Sequence, residues 1–87
     1  MDTIQNEGGA ARMTWLLVES KMFTSVAYDD EKQILYLRFQ SGDVYRYFEF
    51  PPEKYQAFLD SESRGRFFLA HVRDRFRYER MAKLHAA

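Results

Sequence analysis

Cysteine is absent from this chain, which removes disulfides and thiolate zinc sites from the ways it can hold itself together. No apolar run approaches the roughly 20 residues that span a bilayer, and no signal-peptide core is present. The sequence therefore leads us to expect a soluble, cytoplasmic protein. There are two histidines, His71 and His85, and neither a serine elbow nor a glycine-rich phosphate loop. That poverty of nucleophiles and bases argues against an enzyme, and nothing points to a cofactor or a small-molecule substrate. With 87 residues there is room for one domain, near the lower limit of what folds without covalent staples.

What the chain does have is aromatic side chains: eight Phe, six Tyr and one Trp, enough to build a dense core. Its formal charge is zero, but the charge is unevenly spread. Residues 1–62 carry six basic and eleven acidic groups, whereas residues 63–87 carry seven basic and two acidic. Either the basic end faces a polyanion, or the two parts neutralise each other within one fold.

Residues 1–12, with a Gly-Gly pair and no periodicity, read as a disordered leader, with Met13 as an alternative start. The first apolar run, Trp15-Leu16-Leu17-Val18, reads as a short strand or an extended segment tucked under a sheet, with a helix left open. Phe23 to Tyr28 is rich in strand formers, and Asp29-Asp30-Glu31-Lys32-Gln33 is a charged loop. Ile34 to Gln40 shows the period of two expected of a half-buried strand. Gly42 then turns the chain into Val44-Tyr45-Arg46-Tyr47-Phe48.

The length of that turn decides which side chains share a face. A two-residue loop would set Arg46 beside Leu35, Leu37 and Phe39, burying an unpaired charge at a cost of several kcal/mol. A three-residue loop, with Gly42 at the bulge position, groups Tyr45 and Tyr47 with those apolar residues instead. Arg38 and Arg46 then share the other face with Ile34, Tyr36, Val44 and Phe48, and we adopt this register.

Pro51-Pro52 ends the strand and starts a helix, with Pro52 at the first helical position, Glu53 complementing the dipole, and Tyr55, Phe58 and Leu59 forming an apolar stripe. Ser61-Glu62-Ser63 interrupts it, and Ser63 caps a second helix over about 64–73 that buries Phe68, Leu69 and Val72. Gly65 in its first turn costs helix stability, which a close approach to the sheet would explain. Arg75 to Arg80 alternates basic and aromatic, as an extended segment or a last short strand, and residues 81–87 read as a frayed tail. The resulting expectation is an α+β fold: a small antiparallel three- to four-stranded β-sheet with two helices on one face, in β-β-β-α-α order, spanning residues 13–80.

Several residues together resemble the KTSC domain family, which is named for the C-terminal extension of some lysyl-tRNA synthetases and also occurs as stand-alone bacterial or phage-encoded proteins. They are Val18-x-Ser20, Val26-Ala27-Tyr28-Asp29, Leu35-x-Leu37-x-Phe39-x-x-Gly42, Tyr45-Arg46-Tyr47, Pro52, Tyr55, Ser63-x-Gly65, Phe68, Val72 and Phe76-x-Tyr78. The resemblance covers about residues 15–80. Ala27 and Phe76 stand where the family tends to have Gly and Tyr. It implies RNA binding, by association with a tRNA-handling enzyme, and structural roles for Tyr28, Gly42, Tyr45, Tyr47, Ser63 and Gly65.

Two binding surfaces emerge. One is the sheet face carrying Tyr36, Arg38, Arg46 and Phe48, where rings and charges are mixed. The other is the C-terminal strip of Arg64, Arg66, Arg73, Arg75, Arg77 and Tyr78, in which cations would follow phosphates and rings would stack on bases. An RNA or tRNA partner suits both. A protein partner or self-association through a sheet edge or the Tyr36/Phe48 face is the alternative. Asp29-Asp30-Glu31 reads as a solvated turn rather than a metal site, and His71 as a surface helix residue.

Overall fold

The computed structural model describes residues 14–81. The leader assigned to 1–12 and the tail beyond residue 81 lie outside the described residues. Five strands form one antiparallel sheet in sequential order: β1 (Leu16–Leu17), β2 (Phe23–Asp29), β3 (Ile34–Phe39), β4 (Val44–Tyr47) and β5 (Tyr78–Met81). Two helices, α1 (Pro52–Asp60) and α2 (Arg64–His71), intervene between β4 and β5. The fold is α+β as expected, with one strand more than the upper expected count.

The two edge strands are the segments that the sequence left open between strand and extended chain. β1 is only two residues long, too short for its pattern to be told from a loop, and it is defined by pairing Leu16 with Val26 and Leu17 with Ser25. β5 pairs with β4, Tyr47 opposite Tyr78 and Val44 opposite Met81, so Met81 belongs to the sheet rather than to a frayed tail.

The β3–β4 hairpin has the three-residue register. Leu35 faces Tyr47, Leu37 faces Tyr45, and the amide of Gly42 donates to the carbonyl of Phe39 at 2.9 Å. Gly42 has φ of 97°, a conformation that costs glycine nothing and an L side chain considerably more.

The helices cover the face that carries Phe23, Val26, Leu35, Leu37 and Tyr47, closing a core with Phe50, Phe58, Phe68 and Val72. Phe23 lies at its centre, with edge-on ring contacts to Phe39, Phe58 and Phe68. Pro52 opens α1 as its fixed φ favours. Ser63 caps α2, its hydroxyl accepting from the amide of Arg66 at 3.2 Å. α2 is shorter than expected, ending at His71, and Val72 is its buried C-cap. Leu69, assigned to the core, is 47% exposed, because α2 turns Phe68 and its cap Val72 to the core instead.

Candidate nucleic-acid interface

The face of the sheet away from the helices follows from strand alternation and register. Trp15 precedes β1 on the same side as Tyr36 and Arg38. Ala27, Tyr36, Arg46 and Glu79 form one cross-strand row, and Arg38 and Val44 belong to the next. Phe48 follows β4 on this side, and its amide donates to the carbonyl of Arg77 at 2.9 Å, so Arg77 flanks it.

On this face guanidinium groups lie over rings. Arg38 sits 5.1 Å from the centre of the Trp15 ring. Phe48 has two such neighbours, Arg77 at 4.3 Å and Arg46 at 5.5 Å. Arg46 is also held by Glu79, whose carboxylate accepts from Nε at 2.7 Å and from Nη2. That bond, above all, raises the Arg46 pKa and keeps the group charged. Neither Arg38 nor Arg77 has an ion pair or side-chain hydrogen bond among the described residues.

Tyr36 was expected to offer a stacking surface here. It is 6% exposed, because the Trp15 ring meets it edge-on at 6.3 Å and Arg46 lies opposite it in the register. Trp15, which sequence reasoning left out of the site, supplies that cover. No pattern in residues 15–18 says which face Trp15 takes; pairing with β2 decides it.

The C-terminal residues are not on one line. Arg77 is on the open face, whereas Tyr78 is on the helix side, 54% exposed, in contact with the Tyr45 and Tyr47 rings. Phe76 packs on Phe50 at 4.8 Å. Alternation along an extended chain sends successive residues to opposite faces, so the basic-aromatic strip is divided between them. Arg80 pairs with Asp43 at 3.0 Å and Arg73 with its neighbour Asp74 at 4.0 Å. Arg66 and Arg75 are exposed and have no ion pair among the described residues. Arg64 turns inward: its Nη2 donates to the carbonyl of Leu59 at 2.8 Å, and its Nε is buried with no hydrogen-bond partner among the described residues. It ties the start of α2 to the end of α1 rather than presenting its charge to a phosphate. Two of the described ion pairs, Arg46–Glu79 and Arg80–Asp43, join the two parts of the chain, so these neutralise each other only in part. Among the described cations beyond residue 62, only Arg80 reaches an acid of the preceding part.

The residues whose role the family resemblance made structural are placed as follows. Tyr28 stacks on Tyr55 at 4.4 Å and donates to the carbonyl of Phe50. Tyr47 is buried and its hydroxyl is pushed well above the usual tyrosine range, chiefly by burial. Tyr45 is half-buried against Phe39. A β-carbon added at Gly65 would lie 3.8 Å from Met22 and 3.9 Å from Ser20 Oγ, so the approach there is ordinary contact and not the tight one expected. Asp29 Oδ1 accepts from the amides of Glu31 and Lys32, both at 3.1 Å, as the cap of a turn. His71 is exposed beside Phe67, at one wall of an open cleft of about 390 Å³ between the helices. None of the described helices is long and apolar enough to cross a membrane.

The KTSC domain profile matches residues 19–76, the stretch from the turn before β2 to the turn before β5. A protein of Tsukamurella paurometabola is 47% identical over 60 residues, covering 69% of this chain and 90% of its own. The lysine–tRNA ligase of Nostoc punctiforme is 28% identical over 64 residues, 74% of this chain but 11% of the ligase. The crystal structure of a KTSC domain protein from Yersinia pestis superimposes with a TM-score of 0.78 at 27% identity, covering 80% of this chain and 99% of that one. With its profile, its relatives and its backbone in agreement over the same stretch, the chain belongs to the KTSC domain family.

Proposed function

We propose that this domain is a small non-catalytic module that binds RNA through its basic, aromatic-bearing C-terminal part. The observation that carries the reading is the set of arginines beyond residue 62 that stay unpaired. Arg66, Arg75 and Arg77 remain without ion-pair partners among the described residues, although the molecule as a whole is neutral. Unpaired guanidinium groups attract a polyanion by counterion release, and nearby rings add stacking. The similarity to a segment of a lysine–tRNA ligase supports RNA as the polyanion.

Fluorescence anisotropy of a labelled single-stranded RNA and of a tRNA, at about 50 and 200 mM salt, tests it. We expect binding at the lower salt that weakens at the higher, and weakens again in Arg73→Ala/Arg75→Ala/Arg77→Ala confirmed to be folded. Absence of binding at the lower salt refutes it. The exposure of Leu17, 89% on the short edge strand β1, favours a second reading, association with a protein through that edge. That reading predicts a concentration-dependent rise in mass that salt hardly alters.

A further inference from the structure

We propose that the RNA is single-stranded and crosses the open face of the sheet, with Arg38 and Arg77 as its phosphate contacts and their guanidinium planes, held over the Trp15 and Phe48 rings, as the surfaces on which bases stack. This rests on the RNA-binding reading and specifies its site.

A guanidinium that lies over a ring keeps its N–H donors, which point outward in its own plane, for other partners. Stacking also limits its rotamers, so less freedom is lost when an anion binds. Arg38 and Arg77 are in this state and lack any acidic partner among the described residues; Arg46, between them, is compensated by Glu79. The face therefore presents two prepared cations at opposite corners of a neutralised centre.

Their spacing selects the ligand. Arg38 and Arg77 lie two rows and two strands apart, which strand geometry converts to roughly 16 Å between backbones. Each is held over a different ring, so one phosphate does not bridge them; an extended polyanion does. A duplex hides its base faces, and this face of the sheet carries no helix to enter a groove. Single strands expose their bases to rings and guanidinium planes. Trp15 and Arg77 both lie outside the stretch matched by the family profile, so the two corners are completed by the flanks of this chain.

Trp15 is the chain's one tryptophan and reports on the site directly. Its emission is followed while RNA of about 12 nucleotides is added, as a single strand and as a hairpin duplex, with anisotropy recorded in parallel. The single strand is expected to change the emission and the duplex to leave it unaltered. Arg38→Gln/Arg77→Gln, checked for folding by thermal melting, should bind roughly tenfold more weakly at low salt, and Arg73→Gln/Arg75→Gln less so. Binding seen by anisotropy with Trp15 emission unaltered overturns the placement, as does a loss confined to Arg73→Gln/Arg75→Gln; RNA binding itself then stands. Anisotropy without binding overturns both. The wild-type emission decides even where a variant does not fold.

Discussion

Gly65 and Arg64 are adjacent and make opposite contributions. Gly65 sits in the first turn of α2 without tight neighbours, so its missing side chain weakens the helix and relieves no clash. Gly65→Ala should raise stability by about 0.5 to 1 kcal/mol, read as a higher urea midpoint at unchanged slope. Arg64 looks from the sequence like one more surface cation. Its hydrogen bond to Leu59 across the α1–α2 turn makes it a structural residue. Arg64→Ala should lower the melting temperature and leave the RNA affinity of the remaining folded protein unchanged, a result that separates it from Arg75. No periodicity distinguishes these two arginines, because the difference depends on which carbonyl lies within reach after the helices pack.

At the scale of elements, the core hairpin was legible because one unpaired charge decides its register. Keeping Arg46 away from Leu35, Leu37 and Phe39 was enough to place Tyr45 and Tyr47 correctly. The Pro52 start of α1 and the Ser63 cap of α2 were legible for the same reason: each carries a local chemical signal. Ser63→Ala should cost about 1 kcal/mol in thermal or urea unfolding. The edges were not legible. β1 is too short to show a period, and β5 carries one charged residue on each side and hence no apolar face, so only pairing with β2 and β4 defines them. The candidate site suffered most, since Trp15 and Arg77 come from those flanks and Tyr36 is covered by one of them. Phe23, by contrast, was read as part of a strand but not as the centre of the core. Phe23→Ala should cost about 3–5 kcal/mol, a large part of what a domain this size possesses, and far-UV circular dichroism should show a largely unfolded chain.

For the whole molecule, rings supply much of the core, and Tyr47 within it and Tyr28 and Tyr55 packed against it must keep their hydroxyls protonated. Burial raises the pKa of Tyr47, Tyr55 and Tyr28 above the ordinary value of 10.0, with nearby carboxylates of Asp30 and Glu53 adding to the effect at Tyr28. The unfolded chain releases those protons first. Their stabilising contribution is therefore complete below about pH 10 and is lost as pH rises through the folded-state values. Urea midpoints should fall as pH rises above about 10, and less steeply in Tyr47→Phe, which removes the most strongly shifted group. The same molecule carries no net charge yet leaves Arg66, Arg75 and Arg77 without ion-pair partners among the described residues, and its proposed function depends on those free cations. The most direct measurement is the affinity of the wild-type chain for a labelled single-stranded RNA across salt from about 50 to 200 mM. Charge-driven RNA binding predicts affinity falling linearly on logarithmic axes, with a slope of about −2 or steeper. No binding at the lowest salt, or affinity indifferent to salt, would contradict it.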